Sequence, residues 1–99
     1  MNKENFDNLL KLLNEKSFKY SFDDYIDRGV SVIRGIFLYT DGENHIKNRI
    51  DKDLLKNIKF QKTYRWYLGE KQKAIYMKFK DALEMEIPEL EAYQINNYA

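Results

Sequence analysis

Between residues 58 and 68 the large apolar side chains Ile58, Phe60, Tyr64, Trp66 and Leu68 share one parity, broken only at Lys62. A helix would scatter these side chains around its axis, whereas an extended strand sets them on one face. The stretch therefore predicts a strand. Within it, KTYRWYLGEKQK (residues 62–73) interleaves Tyr64, Trp66, Tyr67 and Leu68 with Lys62, Arg65, Lys71 and Lys73, against Glu70 alone. Aromatic residues at strand spacing usually belong to a core. The expectation is thus that Tyr64 and Trp66 point inward, lysines coat the solvent side, and Arg65 and Tyr67 face out. The competing reading is a nucleic-acid surface, in which the cations neutralise phosphates and the aromatic rings stack on unpaired bases.

Other segments are patterned differently. Phe6, Leu9, Leu10 and Leu13 recur at i, i+3, i+4, i+7 with charged residues off that stripe, which predicts an amphipathic helix over 5–16. FKYSF (18–22) alternates as a half-buried strand does. Residues 22–40 fit a helical stripe, and Ser21 with Asp24 would cap it, but Gly29 and Gly35 oppose that. The run VSVIRGIFLYT is rich in β-branched and aromatic residues, so we expect a strand over about 30–40 and a hairpin at Asp41–Gly42. Asp51–Asn57 reads as a short helix. After Gly69, EKQKAIYMKFKDALEME is helix-former in composition, with Ile75, Phe79, Ala82 and Leu83 as a stripe. It predicts a long helix ending before Pro88, against a rival strand built on Ile75, Met77 and Phe79.

The near-neutral total hides segregated charge. Residues 56–80 carry eight bases (Lys56, Lys59, Lys62, Arg65, Lys71, Lys73, Lys78, Lys80) against Glu70, while residues 81–99 carry five acids (Asp81, Glu84, Glu86, Glu89, Glu91) and no base. The candidate contact surface is accordingly Lys59, Lys62, Arg65, Tyr67, Lys71, Lys73, Lys78 and Lys80. The acidic segment could fold back on it, or cross to the basic segment of a second copy in a two-fold dimer. Eight tyrosines exceed what a small core readily satisfies, which favours outward-facing rings and protein contact.

Much chemistry is excluded. There is no cysteine, which removes disulfides and thiol catalysis, and His45 is the only histidine. No Gly-rich phosphate loop, zinc signature or nucleophile elbow occurs. Asp41, Glu43 and His45 in DGENH read as turn chemistry rather than a metal site, and the segment lacks the other ligands of a calcium loop. Asp23, Asp24 and Asp27 in FDDYID read as helix-start or loop acids. No nucleophile–base pair can be assembled, so we expect no enzyme, no cofactor and no small-molecule substrate. The N-terminus lacks the apolar region of a signal peptide and nothing approaches a membrane span, so the chain is expected to be soluble and intracellular.

With its abundance of Lys, Asn, Ile and Tyr, the chain resembles in composition the small accessory proteins of AT-rich viruses and mobile elements, including archaeal filamentous and rod-shaped viruses. That resemblance implies a host-cytoplasmic accessory role and assigns no residue. The resulting expectation is a single α+β domain over 1–99, with an N-terminal amphipathic helix, an antiparallel sheet of three or four strands, a long helix near the C-terminus and an acidic segment at 81–99. Its function is expected to be non-enzymatic and to work through protein–protein contacts, with the chain itself, as a homodimer, among the partners. The alternatives are DNA or RNA binding through 56–80, and inhibition of a host or toxin enzyme.

Overall fold

The computed structural model describes the backbone of residues 1–98 and the side chains of residues 1–94. Helix α1 (Lys3–Glu15) opens the chain; the Asn2 side chain caps it by accepting from the Asn5 N–H at 2.8 Å. It ends in a left-handed Ser17 (φ 56°), with Ser17 N–H donating to the Asn14 carbonyl and Phe18 N–H to the Leu13 carbonyl. This double closure satisfies the last helical carbonyls and turns the chain into the sheet.

Four strands follow: β1 (Tyr20–Asp27), β2 (Val30–Leu38), β3 (Ile58–Tyr67) and β4 (Glu70–Glu86). They form one antiparallel sheet in the order β1-β2-β4-β3. Two short helices, α2 (Glu43–Lys47) and α3 (Lys52–Leu55), bridge β2 to β3, and α4 (Ile87–Tyr98) closes the chain. The α+β class, the N-terminal helix and the four-stranded antiparallel sheet agree with expectation.

Both hairpins use two-residue loops, Arg28–Gly29 and Leu68–Gly69, with positive φ at each residue (53° and 79°; 54° and 80°). Such turns match the right-handed twist of the flanking strands. Leu68 adopts this backbone although it lacks glycine's freedom.

The expected long helix over 70–87 is not formed. That segment is β4, because alternate residues Ile75, Met77 and Phe79 are buried and cross-strand burial outweighs helix-former composition. Pro88 marks the boundary by starting a helix, since the first turn needs no N–H from it. The expected hairpin at Asp41–Gly42 is also replaced. Gly42 has φ −78° and precedes α2, whose Ile46 is buried together with Ile50 one turn on. Nor do residues 22–27 begin a helix; they pair with β2 around a bulge at Arg34.

All the helices contribute to one core on one face of the sheet. Phe6, Leu9, Leu10 and Leu13 of α1, Ile46, Leu54 and Leu90 pack with Tyr20, Ile33, Ile36, Leu38, Ile58, Met77 and Phe79. Gly35 on the other face allows close approach: a Cβ there would lie 2.5 Å from the Met77 carbonyl and 2.6 Å from the Tyr76 ring. No described helix is long and apolar enough to cross a membrane.

Candidate contact surface

β2 ends opposite Ile75, so Thr63–Ala74 of the β3–β4 hairpin runs on as a two-stranded arm. Five residues of strand at ~3.3 Å each make the arm roughly 16 Å long. On the helix-side face of the hairpin, Lys62, Tyr64 and Trp66 on β3 sit opposite Ile75, Lys73 and Lys71 on β4. Ile75 is buried, but the rest of this face lies outside the core cluster. Tyr64 is 59% exposed, Trp66 71% and Leu68 at the tip 80%.

The expectation of Tyr64 and Trp66 in the core is therefore overturned. The parity was right, but the core on that face ends before the arm begins. Lys71 Nζ lies 5.2 Å from the centroid of the Tyr64 ring, within cation–π range.

Arg65 and Tyr67 project from the opposite face, as the alternation requires, yet neither stands free. The Arg65 guanidinium lies 3.9 Å from the Phe37 ring centroid, and Tyr67 stacks on Tyr39 at 4.4 Å. This second face has no helix residue packed against it in the core cluster. It carries a belt of rings and cations across all four strands. Phe37 stacks on Tyr76 at 4.5 Å and 15°, Arg34 lies 4.8 Å from the exposed Tyr25, and Lys19 approaches Tyr67 at 6.0 Å.

Asp23 anchors the belt. It accepts from the Tyr76 hydroxyl and, at 3.2 Å, from Arg34. Burial, then the hydrogen bond to Asp23 and its charge, push the Tyr76 phenol up to about 12. Burial also raises the neighbouring Asp24 carboxyl. Asp23 and Asp24 thus serve the sheet and do not start a helix, and no group of three His, Asp or Glu among the described residues is placed to hold a metal.

The eight expected contact residues divide between the faces. Lys59 and Lys78 are cross-strand partners on the open face, with Arg65 and Tyr67 further along it. Lys62, Lys71 and Lys73 lie on the Trp66 face. Lys80 is exposed where the β2–β4 register is interrupted, its N–H donating to the Asn57 carbonyl. Directly opposed lysines such as Lys59 and Lys78 repel. Among the described residues none of the seven cations Lys59, Lys62, Arg65, Lys71, Lys73, Lys78 and Lys80 makes an ion pair; the pairs formed belong to Lys3, Arg34, Lys47 and Lys56.

Among the described residues the acidic segment does not cover these cations. Glu84 and Glu86 are exposed at the far end of β4 from the arm, and Glu89 pairs with Lys3 at 3.0 Å. Tyr93 packs edge-on against Phe6 and donates to Asp7, with burial and that bond raising its phenol to about 12. The fold-back of acid on base, one of the arrangements the sequence left open, is absent among the described residues.

Sequence reasoning missed Tyr25, Arg34, Phe37, Tyr39 and Tyr76 as surface groups. The one signal was that β2 is apolar at both parities, which mixes a core face with an aromatic outer face. No family model matches the chain, and no curated protein or solved structure matches it either.

Proposed function

We propose that this is a non-enzymatic accessory protein that binds single-stranded nucleic acid along the β3–β4 arm and the open face of the sheet. The observation that carries this reading is an exposed Trp66 and Tyr64 with Lys62, Lys71 and Lys73 on the same face, within a set of seven cations that spans both faces and has no ion pairs among the described residues. Ionic partners supplied from within the chain would have satisfied that charge; a polyanion supplies them from outside. Exposed rings interleaved with cations suit unpaired bases, because each base offers a π-face whatever its sequence.

The test is titration of fluorescein-labelled single- and double-stranded oligonucleotides, with Trp66 emission as a second signal. If four of the cations meet phosphates, log K should fall against log salt with a slope of about −2.8. That is about a 50-fold loss of affinity between roughly 50 and 200 mM salt. Binding that ignores salt, or leaves Trp66 emission unchanged, refutes the reading.

A second reading, protein contact through self-association, is favoured by the placement of Lys71 and Lys73 at the arm end of β4 and of Glu84 and Glu86 at its other end. A basic arm on one copy could then meet Glu84 and Glu86 of another. Sedimentation at low and high salt distinguishes the two: this reading requires a salt-sensitive oligomer without nucleic acid.

A further inference from the structure

Beside the arm lies a cleft of about 410 Å³, with Asp41, Glu43 and Asn44 on one wall and Lys62, Tyr64 and Lys73 on the other. Its size falls in the range of ligand sites. Resting on the single-strand reading above, we infer that this cleft is a base-reading subsite that selects guanine within the bound strand.

The two walls have opposite chemistry. Lys62 and Lys73 flank Tyr64, one two residues before it on β3 and the other directly across from it on β4. They form a cationic wall suited to an anion, with a 59% exposed ring between the charges. On the facing wall the Glu43 carboxylate is held by Lys47 at 2.8 Å. Asp41 makes no ion pair among the described residues and is exposed. Its turn is pinned independently, by Gly42 N–H donating to Thr40 Oγ1 at 3.1 Å.

A ligand that fills the cleft must present an anion to the lysines, a flat face to Tyr64 and hydrogen-bond donors to Asp41. An ionised carboxylate only accepts. Guanine offers two adjacent donors, N1–H and the N2 amine, which match its two oxygens. Adenine and cytosine set their amine beside a ring acceptor that repels a carboxylate. Uracil and thymine have one N–H flanked by carbonyls. Unpaired bases are read on this edge.

The experiment measures anisotropy of labelled oligo(dT) carrying one central G, A or C, using the full chain and Asp41→Asn, with circular dichroism to verify the fold. GMP and AMP serve as competitors. Expected for the unaltered chain is binding of the G-containing strand about tenfold tighter than of the A- or C-containing strands, since a good bidentate pair is worth about 1–3 kcal/mol. Asp41→Asn should erase that preference while oligo(dT) affinity stays equal or rises. Equal binding of the G, A and C strands, or an Asp41→Asn gain that is uniform across strands, overturns the subsite alone. Failure to bind any strand overturns the subsite together with the function it rests on.

Discussion

Replacing Trp66 with alanine should separate stability from binding. With 71% of Trp66 exposed, about 29% of it is covered, roughly 70 Å² of a residue of about 250 Å². At about 25 cal/mol per Å² that coverage is worth at most about 1.8 kcal/mol. A realistic unfolded chain, which already buries part of its surface, brings it to about 1.1–1.6 kcal/mol. Met77, fully buried two residues beyond Ile75, is the control: Met77→Ala should cost about 2–5 kcal/mol through lost transfer energy and a cavity. Urea unfolding followed by circular dichroism measures both, since Trp66→Ala removes the only tryptophan. In binding the order reverses. Loss of a stacking ring should cost Trp66→Ala about 1–3 kcal/mol, roughly 5- to 150-fold in affinity for single strands. A stability loss above about 3 kcal/mol for Trp66→Ala, or a blue-shifted emission from native Trp66, would place the indole in a core and refute the surface described for the arm.

Gly35→Ala should destabilise by about 1–3 kcal/mol or more, because the added carbon meets the Met77 carbonyl, which belongs to the backbone and cannot rotate away; an unchanged thermal midpoint would contradict the close approach of Tyr76. Alkaline pH should weaken the fold through Tyr76 and Tyr93. Their raised values mean the native state prefers the protonated phenol, so this stability is complete below about pH 10 and is lost as pH climbs toward about 12. Urea midpoints measured over that window should fall, and Tyr76→Phe should reduce the slope; a flat profile in the unaltered chain would show that the Asp23 and Asp7 hydrogen bonds do not hold in solution.

The amphipathic stripe Phe6–Leu13 and the alternation from Ile58 to Leu68 were legible because each records a local geometry. A helix repeats its core face every 3.6 residues and a strand every two, whatever lies nearby. The segregation of charge into 56–80 and 81–99 could be read directly as well. Less legible was β4. Lys, Glu, Gln, Ala and Met there all favour a helix by a few tenths of a kcal/mol each, but burying Ile75, Met77 and Phe79 between β2 and β3 is worth about 1.5–3 kcal/mol per side chain. Burial on that scale becomes possible only once the neighbouring strands are in place.

The same separation governs the candidate surface. Parity assigned Tyr64 and Trp66 to one face and Arg65 and Tyr67 to the other, and the structure keeps that division. Whether a face is covered depends on how far the packing helices reach. The core side of the sheet is filled as far as Leu38 and Ile75, and the arm continues past it. Covalent sequence therefore determined the period of each element and the sign of its charge. Only tertiary packing decided that Trp66 meets solvent, that Arg65 lies on Phe37, and that Glu84 and Glu86 stand away from the arm lysines, because burial belongs to the whole assembly of elements and no single strand carries it.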